Sequence, residues 1–467
     1  MAKKGPIEAP WKKSLVMLLA VMLSLSVFLA GCGGSNGGSG GNGDKAEGEN
    51  KAENKNSGES KGSGEKVTLT IWYWGGKTKT DFETIMIPAF EEKHPNIKVK
   101  YMQDEGGTDK LTTLIAGGTP PDVAILDRFM TGAFAAKGSL EDLTPYIATD
   151  NEIAAENYYP STWAEGGFNG GQYSIPWGTD DRALYYNKTL MQEAGLDPNK
   201  PPTTTAELDA MAEKITKKTA NGQYEQIGFI PWMNQGSIFA SAWNFGGKFE
   251  NNGELTPNDP QNVKALEWMA NYAKKYDMAK INKFNELLGQ SGINPFWTGK
   301  VGFVVDGNWI LNDLINNDKV KPKFEWGTTP MPAGDGAELT TWSGGFSFTM
   351  PKGVKHPKES WELIKFITGY EGTLLWAKRP GAQNDISAMP KVNEDLKLAD
   401  NPNLKTFLDM MPKAHYRPVS PAGQKLWEEM FRVQGMAIDG KGEPKKLLDE
   451  VKKNVDNELK KLEAQNQ

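Results

Sequence analysis

The run Val67-Thr68-Leu69-Thr70-Ile71-Trp72-Tyr73 alternates apolar and polar side chains, is rich in β-branched and aromatic residues, and reads as a strand. The segments after this strand set the fold class. Residues 82–92 place apolar side chains at helical spacing, 97–101 form a second strand and 111–116 a second helix; after the turn 117–121, Val123-Ala124-Ile125-Leu126 is a third, buried strand. Strands alternating with helices predict βαβ units and a parallel sheet. The alternation returns further along, with a helix over 263–276, a strand over 301–305, a helix over 309–315 and a strand over 324–328. The body is therefore expected to be α/β with two lobes. No long linker interrupts it, so strands or short segments must pass between the lobes, and hinges of that kind permit closure around a ligand. Residues 405–411, 424–434 and 445–462 read as helices, the last amphipathic and lysine-rich.

Composition narrows the function classes. Hydrophobic residues make up 38% of the 467, enough for a sizeable core, and 53 basic against 59 acidic side chains leave a net charge of −6. That balance argues against a nucleic-acid partner, which needs a basic face to neutralise phosphates. A single cysteine excludes a disulfide framework and a cysteine-rich metal site, and His94, His356 and His415 are too dispersed to suggest a zinc site or a catalytic triad. Neither a metal nor another cofactor is expected.

Residues 1–31 read as an address and 32–66 as a tether. Lys3, Lys4, Lys12 and Lys13 precede the apolar run 15–30, which is short of the ~20 residues that cross a bilayer comfortably, and so reads as a signal-peptide core. It ends Leu29-Ala30-Gly31-Cys32, which resembles the lipobox of bacterial lipoproteins. The resemblance implies cleavage before Cys32 and a lipid anchor, palmitate among its acyl chains, on that thiol, holding the protein at the extracytoplasmic face of the cell membrane. More than one acyl chain gives stable anchoring. Residues 33–65 contain no Val, Ile, Leu, Met or aromatic residue and cannot repay the entropy of ordering. As a flexible coil they span about 30 Å.

One segment carries a family likeness. Tyr173-Ser174-Ile175-Pro176-Trp177-Gly178-Thr179-Asp180-Asp181-Arg182-Ala183-Leu184-Tyr185-Tyr186-Asn187-Lys188 resembles the signature of the family 1 extracellular solute-binding proteins, the sugar-capturing subunits of ABC importers, with Trp177 and Gly178 departing from its stricter form. Asp122 with Asp127-Arg128-Phe129 resembles the aspartate and arginine loop of maltose-binding proteins, two residues shorter, and Asp306-Gly307-Asn308-Trp309 resembles a loop that offers a stacking tryptophan. Trp342-Ser343-Gly344-Gly345 resembles a second crossover, and Glu371-Gly372 with Arg379-Pro380-Gly381 a closing segment. The resemblance implies a two-lobed periplasmic-binding-protein-like fold with hinge crossovers and a ligand cleft between the lobes. It implies a first lobe of 67–178 plus 343–378 and a second of 179–342 plus 379–467. It also implies a monomeric, non-enzymatic receptor that captures an oligosaccharide by closing on it and delivers it to ABC permease subunits in the membrane.

The residues themselves suit that ligand. A sugar presents C–H-rich ring faces, which pack on aromatic planes, and hydroxyls, which need carboxylates, amides or arginine. The candidate ligand-binding residues are Trp74, Asp104, Asp127, Arg128, Trp177, Asp180, Trp232, Trp243, Asp306, Trp309, Trp342 and Arg379. Asp127 follows an apolar strand, which in an open α/β sheet puts it at the carboxyl edge where ligands bind. The bland alternative for each tryptophan is core packing, expected for Trp268, Trp361, Trp376 and Trp427 on their helical patterns; for Asp180, Asp181 and Arg182 it is a salt bridge that stiffens the crossover. Two other classes fit less well. A secreted glycoside hydrolase also needs aromatic platforms and two carboxylates, but no hydrolase motif is recognisable. The same receptor fold with a non-sugar solute such as a peptide or polyamine, or with a sugar phosphate, is the third reading; a phosphate would call for basic residues or helix N-termini at the cleft, whereas the motif-bearing segments are acidic and aromatic.

Overall fold

The computed structural model describes residues 66–75 and 78–465; Cys32 and the stretches read as signal peptide and tether lie outside the described residues. The strand Val67–Tyr73 forms as expected and occupies an inner position in a five-stranded sheet, between Ile97–Gln103 and Val123–Asp127, both parallel to it. Leu69, Ile71, Trp72 and Tyr73 are all buried, on alternating faces, because helices cover the sheet on both sides. Beyond Val123–Asp127 the sheet adds Phe346–Thr349 and then Ser174–Pro176, both from later in the chain. Phe346–Thr349 runs antiparallel, so its first residue faces the last residue of Val123–Asp127. Tyr73, Asp127 and Phe346 therefore meet at one edge, with the Tyr73 and Phe346 rings 5.6 Å apart. That edge is the carboxyl end of the parallel strands, where α/β sheets bind ligands.

A second, three-stranded sheet departs from the simple βαβ expectation. Phe303–Gly307 and Trp326–Thr329, with a short helical stretch between them, each pair antiparallel with Arg182–Asn187, which lies in the middle. The strand–helix–strand unit is present, but the strand arriving from the crossover is inserted between its two members. All six residues of that inserted strand are buried, as a strand flanked on both edges and covered on both faces must be.

Two large hydrophobic cores accompany these two sheets, and a smaller cluster of Trp72, Leu111, Leu126 and Phe134 lies on the other face of the first sheet. Phe82, Phe348, Trp361 and Trp376 belong to the first core, and Tyr185, Phe239, Phe296 and Trp297 to the second. The first core continues past residue 378, where the sequence reading ends its share, to Ala388, Met389 and Val392. Tyr159 packs in the second core although it lies in the stretch read as first lobe. Between the cores, Trp177 to Asp181 and Trp342 to Gly345 pass side by side: Trp177 N–H donates to the Phe346 carbonyl at 3.1 Å and Gly344 N–H to the Asp180 carbonyl at 3.0 Å. A third segment, Ile386–Ser387, pairs with Gly178–Thr179. Gly345 is obligatory in this bundle: its φ is +124°, and a Cβ there would lie 2.5 Å from the Gly178 carbonyl oxygen and 2.6 Å from an Arg128 Nη1.

Candidate ligand-binding cleft

Two adjoining cavities flank the crossover segments and share Asp180, Gly345 and Phe346 in their walls. The larger, about 350 Å³, is lined by Asp127, Arg182, Gln235, Trp342, Arg417 and the ring pair Trp427 and Phe431. The smaller, about 220 Å³, is lined by Tyr73, Trp177, Trp309, Trp376, Arg379 and Asp385. A more open groove of about 960 Å³ elsewhere, beside Trp163, Phe168 and Tyr416, holds none of the expected residues.

Every carboxylate that faces these cavities has an arginine partner. Asp180 accepts from Arg182 Nη1, and Arg182 Nη2 donates to Gln235 Oε1 at 3.2 Å. Asp127 Oδ1 accepts from Arg417 Nη2 at 2.7 Å, and Arg417 Nε donates to Glu165 Oε1 at 2.9 Å. Glu165 Oε2 accepts in turn from Arg128 Nε at 3.0 Å. The result is an alternating chain of four charges, Asp127, Arg417, Glu165 and Arg128, that enters the protein from the cleft. Burial pushes the Asp127 carboxyl up in pKa, and Arg417 pulls against that push. Burial also works against the charge of Arg417, but Asp127 and Glu165 hold its pKa above the ordinary guanidinium value. Arg182 moves the other way: burial lowers its pKa against the pull of Asp180, and the neighbouring Arg417 lowers it further. On the far side, Arg379 donates from Nη2 to Asp385 at 2.5 Å, lies 3.3 Å from Asp81, and covers the Trp376 ring at 3.9 Å.

Several expected ligand residues have other work. Arg128 is fully buried and donates to the Gly178 carbonyl at 2.9 Å, the Ser343 hydroxyl at 2.8 Å and the Gly344 carbonyl, so it clamps the two crossovers together and cannot reach a ligand. Asp306, 2% exposed, accepts from Asn234 and Asn294 at 2.7 and 2.8 Å and organises the loop behind the cleft. Trp243 is buried, stacked flat on His415 with centroids 5.4 Å apart. Trp177 is among the residues lining the smaller cavity but is buried in the first core, 4.6 Å from Trp376. Trp232 is half-buried against the second core and borders neither cavity. Trp74 is exposed at the end of its strand, and Asp104 caps a turn through Gly106 N–H at 2.8 Å; neither lines the cleft cavities. The Trp342 ring borders the larger cavity, but the Arg182 guanidinium covers it at 3.6 Å.

Trp309 remains as a half-buried ring on the cavity wall. Its position depends on the residue before the turn. A Cβ on Gly307 would lie 2.0 Å from the Trp309 ring, and the Gly307 carbonyl is itself held by the Tyr185 hydroxyl at 2.8 Å. The Gly307→Ala change is therefore expected to expel the Trp309 ring from its place, lowering ligand affinity at least about tenfold and altering the intrinsic fluorescence. Unchanged affinity and emission would contradict this close-approach role.

Residues 76–373 match the family described as bacterial extracellular solute-binding protein. The chain belongs to that family. Among solved structures it is similar to CpMnBP1 with mannobiose bound, at 28% identity over 84% of this chain and 100% of that one, with a TM-score of 0.71. Among curated relatives it is 26% identical to the diacetylchitobiose binding protein DasA of Streptomyces coelicolor over 66% of this chain and 72% of that protein. It is 24% identical to the arabinooligosaccharide-binding protein of Bacillus subtilis over 78% and 79% of the two chains. As a member of an extracellular solute-binding family, this protein acts outside the cytoplasm, and its relatives are binding proteins.

Sequence reading missed part of this solute-binding protein's cleft. Trp427 and Phe431 sit four residues apart on the helix Gly423–Ile438, in edge contact at 4.8 Å, and line the larger cavity. Their helical spacing signals a core stripe, which is half correct, since Trp427 also stacks on Phe239 at 4.8 Å. Arg417 and Glu165 carry no local signal, because their partners lie far away in the chain.

Asp181 poses a separate problem for this solute-binding protein. It is fully buried and neither carboxylate oxygen has a hydrogen-bond partner. Burial pushes its pKa well above the carboxylate range; Arg182 opposes this and Asp180 adds to it. A carboxyl protonated in the folded protein but ionised in the unfolded chain costs stability as pH rises above about 4. The neutral isostere Asp181→Asn is thus expected to unfold at higher urea than the wild type at pH 7, with the advantage gone at about pH 3.5, below the unfolded-chain value. Equal midpoints at pH 7 would refute a buried, proton-bearing Asp181.

Proposed function

We propose that this protein captures a neutral oligosaccharide in the cleft between two hinged lobes and presents the closed complex to ABC permease subunits in the membrane. The pairing of charges carries the reading. Asp127, Asp180 and Asp385 each answer an arginine, so the cleft offers polarised oxygens and nitrogens without a free charge to attract an ionic ligand. A hydroxyl can both donate to such a carboxylate and accept from the neighbouring guanidinium, and charge-assisted bonds of that kind are stronger than neutral ones. Asp127, Asp180 and Arg379 are assigned to hydroxyls, and Trp309, with Trp427 and Phe431 opposite the crossover, to ring faces. The sugar-bound neighbour and the two saccharide-binding relatives support the same class of ligand.

In this reading 67–178 with 343–378 and about 388–392 make the first lobe and 179–342 with the rest of 379–465 the second, and closure draws on the difference in ligand affinity between open and closed forms. A shift from 1:99 to 99:1 takes about 5.5 kcal/mol of such a difference. Lipidation of Cys32 keeps the monomeric receptor beside its permease. Catalysis forms no part of this reading: each cleft carboxylate is already engaged by an arginine, and the relatives and the sugar-bound neighbour are binding proteins. Calorimetry of the purified protein against mannobiose, mannotriose, diacetylchitobiose and arabinotriose, with chromatography of the recovered sugars, tests the proposal. Saturable binding with intact sugar is the expected result. Cleavage of the sugar, or silence across the panel, would overturn it.

A further inference from the structure

Arg182 lines the larger cavity beside Asp180, which belongs to the walls of both cavities. Its guanidinium carbon lies 3.6 Å from the Trp342 ring and 5.1 Å from the Trp309 ring. Trp342 lines the larger cavity and Trp309 the smaller. Nη1 donates to Asp180, which borders both, and Nη2 to Gln235 on the larger side. The side chain is only 6% exposed, so it does not swing in solvent. On the crossover side it packs close to Gly344, where an added Cβ would come within 2.9 Å of its Nη1. A planar cation fixed between two indoles fills the space that a sugar ring bridging them would need. Lysine, a compact point charge on a flexible stem, cannot act as such a plate.

We infer that Arg182 is a specificity-determining residue: its guanidinium divides the cleft into two subsites at the gap between Trp309 and Trp342, and so sets the length of oligosaccharide that the cleft takes. The inference rests on the oligosaccharide reading above and adds to it a wall and a residue responsible for it. Ligand chains are stopped at Arg182 from either side. Removing the plate joins the cavities into one trough, and a longer chain then gains contacts that a disaccharide cannot reach.

The test compares Kd values for mannobiose and mannotetraose by calorimetry in the wild type, Arg182→Ala and Arg182→Lys. The expected result is a shift of the Kd ratio towards the tetrasaccharide by about tenfold or more in both variants. A wild-type ratio in Arg182→Lys would mean that charge alone matters, and equal losses for both sugars would mean that Arg182 merely supports the site; either overturns the proposal. If a variant does not fold, the crystal structure of the wild type with mannotetraose decides: a chain confined to one side of Arg182 supports the division, and a chain touching both Trp309 and Trp342 ends it. If the wild type binds neither sugar, the oligosaccharide reading fails. The division is then judged by the crystal structure of Arg182→Ala, where one continuous cavity supports it and two separate cavities refute it.

Discussion

Replacing Glu165 with alanine is expected to cost about 3–5 kcal/mol of stability, because it takes a carboxylate partner from two buried guanidinium groups at once, leaving Arg128 with neutral acceptors and Arg417 with Asp127. Glu165 is fully buried and accepts from Arg128 at 3.0 Å and from Arg417 at 2.9 Å. Those arginines hold different parts of the molecule: Arg128 binds both crossovers, and Arg417 reaches Asp127 on the cleft wall. Charge pairs buried this deeply contribute little over apolar packing, but removing one partner leaves the other's desolvation uncompensated. Urea unfolding of Glu165→Ala should show a lower midpoint, and any folded fraction should bind ligand weakly because Asp127 loses its oriented partner. Glu165→Gln keeps the shape but only one acceptor oxygen, and is expected to fall between the two. A Glu165→Ala protein within about 1 kcal/mol of the wild type would show that water or rearranged partners replace the chain.

Trp309→Ala is expected to act in the opposite way, on affinity and not on folding. The ring is half-buried on the wall of the smaller cavity, and truncating an aromatic anchor of a ligand site costs about 2 kcal/mol or more, roughly 30-fold in Kd. Calorimetry against a sugar that the wild type binds measures the loss, and thermal unfolding should move little. Trp243→Ala provides the contrast. That ring is 4% exposed and stacked on His415, so its removal opens a core cavity at about 3–5 kcal/mol. If Trp309→Ala binds as tightly as the wild type, the assignment of Trp309 to a sugar face is wrong.

These two changes also separate the features that local sequence reveals from those it hides. The strand Val67–Tyr73 is readable to the residue, since alternation, β-branching and aromatic content agree over the whole run. The location of Trp309 and Asp180 on the cleft wall is legible too, because each lies just beyond a strand end or on a crossover marked by its neighbours. Arg128 misleads for a physical reason. Its place after Asp127, at the carboxyl edge of the sheet, is where a ligand contact is expected, yet the side chain turns inward to satisfy Glu165 and two backbone carbonyls. Trp342 misleads similarly: the glycines beside it mark a crossover, but nothing local reveals that Arg182 covers its face.

The strand Val67–Tyr73, the helix–strand alternation that follows it and the aromatic side chains near the cleft are written in the amino-acid sequence. They follow from periodicity and from residue types close together in the chain. Which charge meets which is settled in three dimensions. Asp127 and Arg417 are 290 residues apart, and Arg128 and Glu165 are 37 apart. A carboxylate's role as ligand contact or as internal counter-ion depends on where the nearest guanidinium comes to rest, and that distance exists only after the lobes have packed.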